Sequence, residues 1–125
     1  MNKLDRHFEL ATKLALKSEY KYKLGCVIAK KNRIVGLGFN KPYKTHPDSP
    51  NEFKNIHAEL DALIGVDHKD LQDATVYVSR IRKDGRLALS MPCQHCMELL
   101  RKAGVGVVYW TTDDDTKGYH YFKGE

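Results

Sequence analysis

The chain lacks any stretch of about 18 consecutive apolar residues, the least that a membrane-spanning helix needs, so no span is expected. Its N-terminus, MNKLDRHFELATKLALKSEY, interleaves charge with apolar residues and has no plain apolar centre, which argues against a signal or transit peptide. Cysteine is scarce and odd in number, at positions 26, 93 and 96, a usage unlike that of a secreted disulfide framework. A reducing, cytoplasmic setting is therefore the expectation. No internal repeat and no low-complexity segment occurs, and 125 residues leave room for one domain, 1–125, with a single core.

The net charge of +5 is unevenly spread. Residues 1–54 hold 12 Lys/Arg against 5 Asp/Glu, whereas residues 55–125 hold 9 against 11. A basic half can attract the phosphate of a nucleotide or of a polynucleotide, but a lysine-rich solvated helix face explains the same numbers. Charge alone does not choose a substrate.

Leu4, Phe8, Ala11, Leu14 and Ala15 recur at steps of three and four, which predicts an amphipathic helix over 3–18. GCVIA and IVGLGFN follow as strands joined by KKNR, a connection of hairpin length. Residues 41–55 hold three of the four prolines and little periodicity, so they read as a long loop of the kind that often carries function. A helical pattern resumes from Ile56 to Ile64 and stops at Gly65. ATVYVS is a strand with Val76 and Val78 on one face and Tyr77 on the other, continuing into a hairpin that turns at Asp84–Gly85. Cys93 to Ala103 reads as a helix between Pro92 and Gly104, VGVVYWTT as the next strand, and Tyr119 to Phe122 as a last one. This alternation predicts an α/β domain of three layers around one mixed sheet.

Two predicted helix starts carry residues able to bind metal. His57 and Glu59 stand at the first, Cys93 and Cys96 at the second. Cysteines three apart on a helix share a face, and the helix dipole favours their thiolates. With His57 they form a His-Cys-Cys set, whose donors suit zinc, and three protein ligands leave a position for water, as in catalytic zinc sites. Glu59 is placed beside that water as a general acid and base. Cys26, inside an apolar strand, is expected to be a buried free thiol.

The motifs HAE at 57–59 and PCQHC at 92–96 match H-x-E followed by P-C-x-x-C, and over nearly the whole chain the sequence resembles the zinc-dependent cytidine/deoxycytidylate deaminase superfamily, as a small phage-type member. The resemblance implies a three-layer α-β-α fold with a mixed five-stranded sheet. It implies hydrolytic removal of an amino group from C4 of cytosine or C6 of adenine, with His57, Cys93 and Cys96 inheriting the zinc and Glu59 the proton transfers. For substrate contacts it points to Asn40 in GLGFN, to the backbone N–H of Ala58, and to the backbone of Ser90. Asn40 also reads as a residue closing its strand, and His46 reads as a substrate contact or as an ordinary exposed histidine. His95 is expected to point away from the metal. Tyr109, Trp110, Tyr119, Tyr121 and Phe122 read as a base-stacking surface or as strand packing.

A first ligand that is histidine resembles the deoxycytidylate and nucleic-acid types more than the free-cytidine enzymes. The connection TDDDTKG is too short for a crossover to a parallel strand, which predicts an antiparallel C-terminal hairpin. The leading expectation is deamination of cytosine in a nucleotide or nucleoside such as dCMP or cytidine. A deaminase of cytosine or adenine in single-stranded DNA or RNA comes second, and a non-catalytic zinc or redox module with a Cys93–Cys96 disulfide third. The resemblance also implies a homo-oligomer.

Overall fold

The computed structural model describes residues 3–41, 57–114 and 116–122, with side chains from residue 6 onward. His46 and most of the proline-bearing loop lie outside the described residues.

The helix α1 (Lys3–Ala15) buries Phe8, Ala11, Leu14 and Ala15, as its apolar spacing predicts. It ends three residues before the predicted limit. Lys17 N–H and Ser18 N–H turn back to Leu14 O and Ala15 O in a tightened last turn, and the Ser18 hydroxyl leaves to donate to Asn40 O at 2.8 Å. The strands β1 (Lys23–Lys30) and β2 (Arg33–Phe39) form the expected antiparallel hairpin, turned at Lys31 with its φ of 57° and bulged between Ile28 and Ala29.

After the loop come α2 (Ala58–Leu63), a short α3 (His68–Leu71) that periodicity did not reveal, and β3 (Thr75–Ile81). Next are β4 (Leu87–Ala88), α4 (Gln94–Ala103), β5 (Val107–Thr111) and β6 (Lys117–Tyr121). The strand order is β2-β1-β3-β5-β6, with β4 paired to β3. The sheet therefore has six strands where five were expected. The extra one arises because β5 pairs only with Thr75–Val78, leaving the edge of Arg80 and Ile81 to be taken by Ala88 and Leu87 as the chain folds back at Gly85. β3 and β5 run parallel, and β6 returns antiparallel along β5, as the short connection predicts.

One core layer joins α1 to Val27, Ala29 and Tyr77; the other joins α2, α3 and α4 to Cys26, Ile28, Val76, Val78 and Val108. Trp110 belongs to the second core, and Tyr109 stacks on Tyr77 at 5.7 Å, so these aromatics pack as strand residues do. Tyr119 and Tyr121 remain exposed on the last strand.

Two glycines set how closely the layers approach. A Cβ on Gly25 would lie 1.9 Å from Ala11 O, and one on Gly38 would lie 2.4 Å from Ala62 N and 2.7 Å from Ala58 O. Helices can therefore sit directly on backbone at these points. Gly38→Ala is expected to push α2 off β2 and to cost roughly 2–4 kcal/mol, measured by urea unfolding; a loss under about 0.5 kcal/mol would mean that the helix adjusts freely.

Candidate active site

His57 is the N-cap residue of α2, and Cys93 is the N-cap residue of α4, with Cys96 in that helix's first turn. Both helices lie on the same face of the sheet, and their starts converge. His57 Nδ1 is 3.8 Å from Cys93 Sγ and 3.5 Å from Cys96 Sγ, and the three donor atoms all lie within 4.8 Å of one another. A tetrahedral zinc ion with bonds of about 2.3 Å to sulfur and about 2.0–2.1 Å to nitrogen would set each S···N edge at about 3.6 Å. The donor set thus fits a zinc ion in both chemistry and spacing, and the three residues could hold one. His95 lies outside that donor group.

Protonation in the metal-free site follows from contacts. The hydrogen bond with Cys96 is the largest influence holding the Cys93 thiol down, to about 4, assisted by His57; the same bond raises Cys96. Burial works to lower His57, but Cys93 and Glu59 outweigh it and the imidazole is raised. One sulfur is thus already a thiolate, as a metal ligand must be. Cys26 is fully buried in β1, and that burial pushes its thiol well up. The buried free thiol expected here is what the fold contains.

Glu59 is 4% exposed, and burial pushes its carboxyl up to about 7 from an ordinary value near 4.5. It shares the walls of a cavity of about 300 Å³ with Tyr20, Tyr22, Leu24, Asn40, His57, Ala58, Met91 and Cys93. Of the substrate candidates, Asn40 and Ala58 are therefore beside the donor group. Asn40 also closes its strand, because its Oδ1 accepts from Leu24 N–H at 2.9 Å and its Nδ2 donates to Tyr22 O. Asn40 thus closes its strand and also lines the cavity. Ser90 lines an adjoining cavity instead. Its hydroxyl donates to Val78 O at 2.8 Å and accepts from Thr111 N–H at 2.9 Å, and its own N–H donates to Thr111 O, leaving the carbonyl as the backbone group it could offer a ligand.

Residues 1–112 match the family model of the cytidine and deoxycytidylate deaminase zinc-binding region. The chain belongs to this deaminase family. A probable deoxycytidylate deaminase of Caenorhabditis elegans is 27% identical over 136 residues, covering 98% of this chain but only 64% of the relative. The chain thus spans less than two-thirds of that curated relative's length. Among solved structures, a cytidine deaminase from Burkholderia pseudomallei superposes with a TM-score of 0.70 at 16% identity, covering 98% of this chain and 94% of that one. The apo dCMP deaminase of cyanophage S-TIM5 gives 0.63 at 19%, covering 92% and 88%. At such identities the likeness is one of fold. The family's zinc-binding region contains the histidine and cysteines brought together here.

Reading motifs in this deaminase-family sequence missed Tyr20, Tyr22, Leu24 and Met91. The first three had a signal in the hairpin register, because pairing Gly25 with Phe39 carries Leu24 to Asn40 and brings the preceding residues to the same end. Asp61 was also missed. Its carboxylate accepts from Phe39 N–H at 3.1 Å and from Lys41 Nζ at 2.6 Å, fixing the end of β2 to α2.

Two outcomes are expected. Zinc should raise the melting temperature of the wild-type protein, by linkage, and should do so far less for Cys93→Ser; equal shifts would remove the three-residue donor set. In the metal-free protein, a carboxyl raised from near 4.5 to about 7 binds more protons folded than unfolded between those values, so stability falls as pH rises through that window. Glu59→Gln should erase a loss of roughly 3 kcal/mol between pH 4.5 and 8, read from unfolding at each pH. An unchanged slope would exclude Glu59 as its source.

Proposed function

We propose that this chain is a zinc-dependent hydrolytic deaminase in a single domain over residues 1–125, converting cytosine to uracil in a nucleotide or nucleoside. The observation that carries the reading is the buried Glu59 carboxyl on the wall of a ligand-sized cavity beside the His57–Cys93–Cys96 donor group. A structural zinc site has no use for such an acid. In this reading His57, Cys93 and Cys96 hold the ion. Zinc with three protein ligands lowers the pKa of a coordinated water to about 7 and so supplies a hydrolytic nucleophile at neutral pH.

The protein's own groups do the remaining work. Glu59 takes a proton from the water and delivers it to ring N3 as oxygen bonds to C4. It then carries the second proton to the departing amino group, the C4–N4 bond breaks, and ammonia leaves uracil behind. Burial raises this carboxyl from its ordinary value in the metal-free site, which works against the cation's pull toward the carboxylate and suits a group that must both take and give a proton. Asn40, the N–H of Ala58 and the carbonyl of Ser90 orient the sugar and base edge, while Leu24, Tyr20 and Tyr22 keep the base in an apolar setting. The name of the C. elegans relative, a probable deoxycytidylate deaminase, favours a small substrate over a polynucleotide. The expected homo-oligomer is part of the proposal. Among the described residues no helix is long and apolar enough to cross a membrane.

The test is ammonia release by zinc-loaded protein from cytidine, deoxycytidine, dCMP, adenosine and a single-stranded oligonucleotide. Turnover of a small cytosine compound, lowered by about 10²–10⁴ in Glu59→Gln with zinc content unchanged, is the expected result. Equal rates in wild type and variant would remove Glu59 from the chemistry. Turnover of the oligonucleotide alone would replace the substrate class.

A further inference from the structure

The cavity beside Glu59 does not end at Tyr22. A second cavity, of about 280 Å³, adjoins it and shares Tyr22, Leu24 and Met91 as walls; Arg80, Leu89 and Ser90 complete its lining. Among the described residues Arg80 is the one charged residue of that lining. Its position follows from strand alternation. Val76 and Val78 face the core under α2 and α4, and Arg80 is the next residue on that face, paired with Leu24 at the end of β3 beyond the helix starts.

Arg80 is held ready rather than neutralised. Its backbone N–H donates to Thr111 Oγ1 at 3.1 Å, and its guanidinium lies 5.0 Å from the centre of the Tyr22 ring. Among the described residues no carboxylate stands within ion-pair distance of it. The charge of Arg80 is felt at Asp113, but that carboxylate is engaged by Arg82 at 3.1 Å and by Leu89 N–H at 3.0 Å. A guanidinium stacked on an aromatic ring keeps its N–H edge available, and the planar fork of donors suits a phosphate. Lys21 also approaches Tyr22, at 5.2 Å, but it is exposed and lines neither cavity.

We infer that Arg80, braced by Tyr22, is a specificity residue that receives the terminal 5′-phosphate of the substrate, so that the enzyme takes a cytosine nucleoside monophosphate in preference to the nucleoside. This rests on the deaminase reading above and adds the phosphorylation state to it. Base, sugar and phosphate occupy the two cavities in sequence: the base beside Glu59 and the donor group, the sugar past Tyr22 and Leu24, and the phosphate at Arg80. Among the described residues the second cavity has exposed apolar residues, Leu89 and Met91, at its edge and one cation, Arg80, in its lining. One cation matches one terminal phosphate, and among the described residues this lining lacks the row of cations that the run of phosphates in a polynucleotide calls for.

The experiment compares kcat/KM of zinc-loaded protein for dCMP, deoxycytidine and a single-stranded oligonucleotide, in wild type, Arg80→Gln, Arg80→Lys and Lys21→Gln. Wild type should favour dCMP over deoxycytidine by roughly 10- to 100-fold, mainly through KM. Arg80→Gln should remove that advantage while leaving deoxycytidine within about twofold, Arg80→Lys should retain part of it, and Lys21→Gln nearly all. Equal use of dCMP and deoxycytidine by wild type would overturn the inference and leave the deaminase reading intact. So would an equal fall for both substrates in Arg80→Gln, or a preference for the oligonucleotide over dCMP. If nothing is turned over, calorimetric binding of dCMP and deoxycytidine to zinc-loaded Glu59→Gln, with and without Arg80→Gln, decides instead. Tighter binding of dCMP that depends on Arg80 sustains the phosphate site while the deaminase reading falls; equal binding overturns the phosphate site.

Discussion

The site depends on the shared direction of three strands. β2 and β3 are both antiparallel to the β1 between them, and β5 is parallel to β3, so β2, β3 and β5 all run the same way. The chain visits them in that order while moving in one direction across the sheet. Each connection must therefore travel back over a face, and right-handed crossovers place both returns on the same face. The helices of those returns, α2 and α4, start at the same end, where the strands finish. His57 and Cys93 are the residues at those two starts, so the convergence of histidine and cysteines is a consequence of topology. Gly38 lets α2 settle against β2 without a side chain between them, which turns approximate convergence into ligand spacing.

This dependence explains which features could be read from the sequence. H-x-E and P-C-x-x-C are local, each lying at one helix start, and the metal-capable donors they carry were legible without any tertiary knowledge. The antiparallel direction of β6 was legible too, since five residues between β5 and β6 cannot make a crossover. What escaped was set by register. β4 exists only because β5 stops pairing at Val78 and leaves an open edge on β3, a fact with no signature in Leu87 or Ala88 themselves. The early end of α1 turns on the Ser18 hydroxyl reaching Asn40, a contact 22 residues away. Tyr22 and Arg80 belong to separate strand ends, and only the pairing of β1 with β3 makes them neighbours.

Asn40 illustrates why assigning one role per residue can mislead. Its side chain bonds to the backbone of Tyr22 and Leu24, and the same hydrogen bonds hold those residues at the cavity wall. An amide has more hydrogen-bonding capacity than these contacts use, since Oδ1 carries a second lone pair and Nδ2 a second hydrogen. Closing the strand and facing a ligand are then compatible demands, and a buried residue that meets both is costly to replace on either account. Ser90 lies on the other side of this division. Its hydroxyl is engaged with Val78 and Thr111 and fixes the segment that leads into Pro92 and Cys93, so that its backbone carbonyl, not its side chain, is the group left for a ligand.

The metal-free site is also where the fold is least at ease. A buried Glu59, a raised Cys96 and a lowered Cys93 share a small volume, and each is stabilised or destabilised by the charge state of the others. A hydrophobic residue at position 59 would remove one unfavourable burial, so packing alone gives no reason for a carboxyl there. A divalent cation among the donors reverses the balance, because it stabilises both thiolates and the carboxylate together. Stability near this site and readiness for metal are thus opposing features of the same residues, as expected where local consistency is given up for chemistry. The core on the α1 side of the sheet, from Phe8 to Tyr77, is built of apolar and aromatic packing and backs the site across β1 and β3.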